Sequence, residues 1–330
     1  MNKPRLLVHT SPFLGSSVDT PRLMREVIYA LVPTVLAATW FFGISAILVM
    51  GAATAGAMLT EWFFYRRTLG DASALLTGLL LGLTLPPGLP LWMAFLGGVT
   101  AIGLGKAVWG GLGQNLFNPA LVGRAFLQAA FPTAITTWSA NEGPGDFWSL
   151  DGGTLALPLM QPTVDVMSTA TPLGLMKFEQ TSTDLGSLFL GSTGGSLGET
   201  SAILIILASL YLGLRGIIDW RIPGSILLSV AVFSGVFYLL DPGRYPSPLF
   251  MMGSGGLLFG AVFMATDPVC SPMAPRGTWF YGVGIGALVV LIRLFGGLPE
   301  GVMYAILLMN AATPLIERST QPRPFGRSPE

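Results

Sequence analysis

One cysteine, one histidine and few charges leave this sequence little with which to do metal or disulfide chemistry. Cys270 has no second cysteine to pair with. An internal disulfide is therefore excluded, as is a zinc or iron–sulfur site ligated by this chain's thiolates alone. His9 stands alone, which argues equally against a histidine-based metal site. Charged residues make up 10% of the chain, against about 25% in an ordinary soluble domain. The 17 basic and 17 acidic residues cancel, so no net field exists to hold nucleic acid, and that class of partner is set aside. The first ten residues, 1–10, have neither a long apolar core nor a small-residue cleavage site, so no cleaved signal peptide is expected. Apolar residues are what the sequence has: 52% of 330 residues, with 43 glycines and a mean hydropathy of +0.66. Glycine is commoner in membrane helices than in soluble ones. The reading is an all-α polytopic membrane protein whose chemistry draws on carbonyls, hydroxyls, amides, a few ions and a cofactor.

Spanning a bilayer takes about 20 mostly apolar residues, fewer where a helix is broken inside the bundle. Ten segments qualify: 26–43, 44–64, 72–86, 91–108, 116–132, 199–215, 222–240, 249–266, 278–295 and 299–316. Between the fifth and sixth lies a long polar stretch, 133–198, rich in Ser, Thr, Gly, Asp and Pro, and a connection of that length is expected to be functional or partly disordered. With the amino terminus inside, thirteen basic residues fall at cytoplasmic ends: Lys3, Arg5, Arg22, Arg25, Arg66, Arg67, Lys106, Arg215, Arg221, Arg276, Arg318, Arg323 and Arg327. Only Lys177, Arg244 and Arg293 fall outside, and Arg124 lies within the fifth segment. That asymmetry puts both termini in the cytoplasm and the 133–198 loop on the other side. The domain reading is a cytoplasmic arm (1–25), a five-helix half (26–132), the extracytoplasmic loop (133–198), a second five-helix half (199–316) and a cytoplasmic tail (317–330). Five is odd, so the halves enter the membrane with opposite polarity, the layout of a 5+5 inverted repeat with broken helices. Gly78-Leu79-Leu80-Leu81-Gly82 and Gly256-Leu257-Leu258-Phe259-Gly260 occupy the third segment of each half, each followed by a proline break.

Interrupted helices in a bundle are usually sites, because their freed backbone groups need partners. One candidate runs from Gly110 to Ala120, where Asn115 and Asn118 precede Pro119; Asn118 suits an N-cap and Pro119 a first helical turn. A plain re-entry turn explains the same residues about equally well. The second runs from Met264 to Pro272 and holds Thr266 and Asp267. An acid at the end of an apolar run is costly unless paired or wetted, although a helix cap or an arginine partner would also account for it. Cys270 reads as a small buried residue. The third feature, Asp165-Val166-Met167-Ser168-Thr169-Ala170-Thr171-Pro172, lies in the polar loop. No His or Lys adjoins its hydroxyls to activate them, so modification by a separate enzyme fits better than self-catalysed chemistry.

The pattern of Asp165, Ser168, Ala170 and Thr171 resembles the flavinylation signature of membrane flavoproteins, with departures at Val166 and Thr169, where glycine is frequent. Residues 111–120 and 265–272 are similar to two further signatures of one family. That family is the D subunits of Rnf electron-transport complexes, related to the B subunit of the sodium-pumping NADH:quinone oxidoreductase. Glu199-Thr200-Ser201, residues 217–223 and residues 23–33 extend the likeness over nearly the whole chain, and the length favours the Rnf subunit. The resemblance implies a subunit of a redox-driven ion translocase, a ferredoxin:NAD⁺ oxidoreductase coupling electron transfer to Na⁺ or H⁺ movement across the bacterial inner membrane. It implies FMN joined to Thr171 through a phosphoester, within a motif of Asp165, Ser168 and Ala170, and a non-covalent riboflavin. Asn115, Asn118, Thr266 and Asp267 are carried as a candidate second flavin or ion site. Implied partners are a second FMN-bearing subunit, iron–sulfur subunits, a flavin transferase and membrane lipid. The chain has no dinucleotide fingerprint or cysteine cluster, so NADH and ferredoxin are expected to be handled by other chains. The rival classes are a urea- or ammonium-type solute channel and a structural scaffold, neither of which has a use for a flavinylation loop.

Overall fold

A single helical run of 45 residues, α1 (Thr20–Phe64), opens the computed structural model. At 1.5 Å per residue it would measure about 68 Å, twice the hydrocarbon core of a bilayer. It does not stay straight. Gly43 has φ 61° and ψ −148°, and a Cβ there would stand 2.7 Å from the Phe147 carbonyl oxygen. The next amide, Ile44 N, donates to that same carbonyl at 2.9 Å. Only glycine tolerates both the positive φ and the approach, so α1 is two helices joined by a kink at Gly43, where the first two sequence segments meet.

The structure describes residues 19–66, 69–138, 147–148, 150, 153–158, 170–179, 181, 183–191, 194–199 and 201–321. Among them there is helix and connection but no strand. After α1 come α2 (Ser73–Leu83), α3 (Leu91–Ile102) and α4 (Pro119–Ala130). Beyond the polar loop follow α5 (Ala202–Leu214), α6 (Arg221–Leu240), α7 (Pro275–Phe295) and α8 (Val302–Thr320). Between α6 and α7 the chain forms a broken element: Pro248–Gly253, a turn, Leu257–Phe259 and a π turn Gly260–Met264. Three helices, α1, α6 and α7, are long and apolar enough to cross a membrane, and α2, α5 and Leu91–Ala107 are shorter apolar helices.

The outer surface of the bundle explains the composition. On α5, Ile203, Ile206, Leu207, Leu210 and Leu214 are all exposed, at spacings that put them on one helical face. Leu228, Val232, Val236 and Leu239 form a similar exposed stripe on α6. Apolar faces of this extent turned outward fit lipid rather than water. Inside, small residues let backbones touch, as in membrane helix packing generally. A Cβ on Gly98 of α3 would lie 2.1 Å from the Ala53 carbonyl of α1, and one on Gly56 of α1 2.2 Å from that of Phe95. On α7, Gly282 and Gly286 sit against Ser225 and Ser229 of α6 in the same way.

Candidate functional site

Two cavities occupy opposite ends of the same helices. From α4, Asn118 and Pro119 line one cavity, while Arg124 and Gln128 line the other. The broken element likewise gives Gly253 and Gly255 to the second and Val262, Phe263 and the Thr266–Pro268 turn to the first.

The Asn118 cavity joins the two interrupted stretches singled out from sequence. The Asn118 side chain accepts from Ala120 N (3.0 Å) and Leu121 N (3.4 Å), capping α4, and its Nδ2 donates to the Met264 carbonyl at 3.1 Å. Asn115 Nδ2 donates to the Phe117 carbonyl and to Cys270 Sγ, both at 3.2 Å. Thr266 donates into its own turn, to the Val262 carbonyl. Asp267 finds no arginine among the described residues. Its Oδ1 accepts from Val269 N at 3.1 Å, and the second oxygen is 3.6 Å from Cys270 Sγ. Asn115, Asn118, Thr266 and Asp267 therefore share one wall. The free volume is about 70 Å³, below the ~300–1,000 Å³ of sites for drug-sized ligands. It suits water or an ion as it stands, and a ring system enters only if the walls separate.

Lys106 and Ser73 also line this cavity, and Lys106 belongs to a charge pair that the sequence pattern places differently. Lys106, by its position a charge at a helix end, is buried at 2% exposure, and Glu61 at 0%. Lys106 Nζ meets both Glu61 carboxylate oxygens at 2.7 and 2.8 Å and donates to Ser73 Oγ at 2.7 Å. Ser73 Oγ donates in turn to Asp71 Oδ1 at 2.7 Å. The cause is a π turn, Gly103–Ala107, that follows α3. Such a turn holds an extra residue, and Lys106, its fourth residue, is turned from the direction a continued α-helix would give it. Gly105 packs on Pro119 so closely that a Cβ would sit 2.7 Å from the Pro119 Cα.

The other cavity, about 520 Å³, has Thr171 in its wall together with Trp138, Phe178 and Tyr304. Thr171 is half-buried. Its hydroxyl oxygen accepts from Gly174 N at 3.1 Å, capping the turn Pro172–Gly174. A π turn, Leu175–Glu179, follows and carries Lys177. Partial burial lowers the pKa of Lys177 from its usual value. Leu173 anchors the segment against Leu188 and Phe250. Ala170 is exposed beside Thr171, while Asp165, Ser168 and Thr169 lie outside the described residues. Across the cavity, Arg124 donates to Glu300 Oε2 at 2.9 Å, and Glu300 Oε1 accepts from Gly256 N at 2.7 Å. Arg293 lies behind them, buried, donating to the Met251 and Ser254 carbonyls. Glu199 is in the same wall, with its Oε1 buried beside Glu300.

Sequence reasoning missed Arg124 and Glu300 as members of this site. A charge inside an apolar segment is a functional signal by default, and Arg124 carried it. Its partner lies 176 positions further on, beyond any local pattern.

Comparison with known proteins gives this chain relatives. The NQR2, RnfD, RnfE family model matches residues 7–326. The chain is 43% identical to the D subunit of the ion-translocating oxidoreductase complex of Stutzerimonas stutzeri, covering 96% of this chain and 94% of that one. It is 41% identical to the D subunit of the proton-translocating ferredoxin:NAD(+) oxidoreductase complex of Clostridium ljungdahlii, covering 97% and 96%. A third relative, the D subunit of the Na(+)-translocating ferredoxin:NAD(+) oxidoreductase complex of Acetobacterium woodii, is 39% identical over 99% and 97%.

Proposed function

The chain belongs to the NQR2, RnfD, RnfE family, and from that premise we propose that it is the flavin-carrying membrane subunit of an ion-translocating ferredoxin:NAD⁺ oxidoreductase complex. Relatives of nearly equal length are named as the D subunits of such complexes. One of those names specifies protons and the other sodium, so family membership does not carry the ion with it.

FMN is attached to Thr171 through its side-chain oxygen. The observation that carries this is the position of Thr171, a half-buried hydroxyl in the wall of a 520 Å³ cavity faced by Trp138, Phe178 and Tyr304. The residues fit the group. The cavity lies within the size range of ligand sites, apolar and aromatic with a few polar groups, and Arg124, Gln128 and Glu300 supply polar groups in its wall. Bound there, the flavin supplies one-electron transfer, the chemistry that no side chain of this protein provides. The protein holds the attachment point with the Gly174 N–H and Leu173, and the Arg124–Glu300 pair fixes the opposite wall. Asn115, Asn118, Thr266 and Asp267 form a second, ion- or water-sized site, which would have to widen to take riboflavin.

Ten spans in a 5+5 inverted repeat, with both termini cytoplasmic and the Thr171 cavity facing outward, complete the reading, in a bacterial inner membrane. It is supported by the charge asymmetry and by packing that recurs between halves. The second part of α1 crosses α3 through Gly56 and Gly98, and α6 crosses α7 through Gly282 and Gly286. The partners would be the other subunits of the complex, among them a second FMN-bearing subunit and iron–sulfur subunits, with a flavin transferase for attachment. Produced with its transferase, the denatured chain should fluoresce as a flavin band on a gel. Thr171→Ala should abolish that band and Thr169→Ala should keep it, whereas a bright Thr171→Ala would overturn the assignment.

A further inference from the structure

We propose that Lys177 is a positioning residue, a clamp that seats its ammonium on the carbonyls ending α7 and so holds the Thr171 segment against the cavity. The role in flavin placement rests on Thr171 being the attachment point. The contact itself does not.

An α-helix leaves its last four carbonyls without intrahelical partners, and its carboxyl end carries a partial negative charge that favours a cation. At the end of α7, the Ile292 carbonyl takes Gly296 N at 2.8 Å. The Arg293 carbonyl takes Lys177 Nζ at 3.0 Å. The chain then turns and aims the Gly296 and Leu298 carbonyls back at the same ammonium, at 2.5 and 2.9 Å. An ammonium has three protons, and these three acceptors use them all, with Ile292 O at 3.5 Å on the rim. No carboxylate forms an ion pair with Lys177 among the described residues. Its charge is directed instead at backbone 116 to 121 positions away.

The position of the cradle is what gives the contact a role. The carbonyls of 293, 296 and 298 lead directly into Glu300, which binds Arg124 and Gly256 N. Lys177 therefore ties the segment bearing Thr171 to the stretch of chain that builds the cavity's charged wall. Leu173 gives a second anchor, apolar and non-directional, against Leu188 and Phe250. Met176 packs against the same cluster, and apolar contacts of this kind set no direction. An ammonium held by three carbonyls fixes the segment's direction as well. Because a group attached to Thr171 is only as well placed as the turn carrying it, loss of the clamp leaves attachment chemistry present and geometry loose.

The test uses the full chain in detergent, with and without Thr171→Ala, and reads amide exchange over residues 172–179. Hydrogen bonds to charged groups contribute enough that Lys177→Met should speed exchange of the Gly174 and Leu175 amides by about tenfold or more. In the flavin-bearing chain the same variant should lower flavin fluorescence anisotropy. Lys177→Ala should recover slow exchange when n-propylammonium is supplied, and Lys177→Met, whose side chain fills the space, should not. Wild-type exchange in Lys177→Met would overturn the clamp. If Lys177→Met fails to accumulate, recovery of yield in Lys177→Arg supports the clamp, and equal loss in both overturns it. Absence of flavin from Thr171 in the wild-type chain would remove the attachment reading, while exchange of the Leu175 amide, which donates to the Thr171 backbone carbonyl and keeps that acceptor in Thr171→Ala, would still decide the clamp.

Discussion

Replacing Glu61 by glutamine removes the carboxylate that contacts Lys106 directly while leaving the ammonium where it is, at 2% exposure. Ser73 Oγ remains, and it can offer one lone pair to Nζ. Breaking a buried ion pair by removing one partner costs about 3–5 kcal/mol, because the other charge is left uncompensated. At about 1.4 kcal/mol per tenfold, the folding equilibrium constant in an unfolding series should fall by a factor of roughly a hundred or more. Glu61→Leu combined with Lys106→Met removes both charges and keeps apolar volume. Exchanges of that kind are neutral or stabilising by about 1–4 kcal/mol. The double variant should therefore unfold at or above the wild-type midpoint, with each single variant well below it. The assay is reversible unfolding in mixed micelles, read as a double-mutant cycle. Single-variant losses under about 1 kcal/mol, the range of solvated surface pairs, would mean that Lys106 reaches water, and the π-turn account of its burial would be wrong.

Gly98→Ala should destabilise by about 1–3 kcal/mol, since its Cβ would meet the Ala53 carbonyl at 2.1 Å and force α1 and α3 apart. Gly51→Ala, with nothing within 4 Å, should instead gain about 0.5–1 kcal/mol, and thermal midpoints compare the two. Asn118→Ala loses the α4 cap and the bond to the Met264 carbonyl, a cost of about 1–3 kcal/mol. Asn118→Asp keeps the cap acceptor and should recover part of that loss in the same measurement. Asp267→Asn retains an oxygen for Val269 N, so the complex should assemble at wild-type level while ferredoxin:NAD⁺ turnover falls. Full turnover would show that the charge has no use.

Much of the frame is legible because membrane spans are written locally, as apolar runs with breaks. Gly43 at a segment boundary, Asn118-Pro119 as a helix start and the break at Thr266-Asp267-Pro268 all rest on neighbours within a few residues. The meeting of Asn118 with Met264 is not legible, since it joins positions 146 apart. Lys106 escapes the sequence for another reason. Its place after an apolar segment looks like a loop charge, and only the π turn and Gly105 on Pro119 turn it inward. Arg293, which the charge count puts outside, is buried for a similar reason, its guanidinium held by carbonyls of the broken element. Lys177 stands six residues beyond Thr171 in sequence. Its acceptors lie beyond the polar loop, at and just after the end of α7, where no spacing rule reaches.

The central claim is that this chain carries its redox group on one threonine in the wall of the larger cavity. Digesting the denatured, transferase-treated protein at basic residues should release a peptide covering 125–177, and its mass decides the matter. The account predicts that this peptide is heavier by one FMN joined with loss of water, that fragmentation places the added mass on Thr171, and that Thr171→Ala yields the unmodified peptide. An unmodified wild-type peptide, or added mass on a different residue, would contradict it.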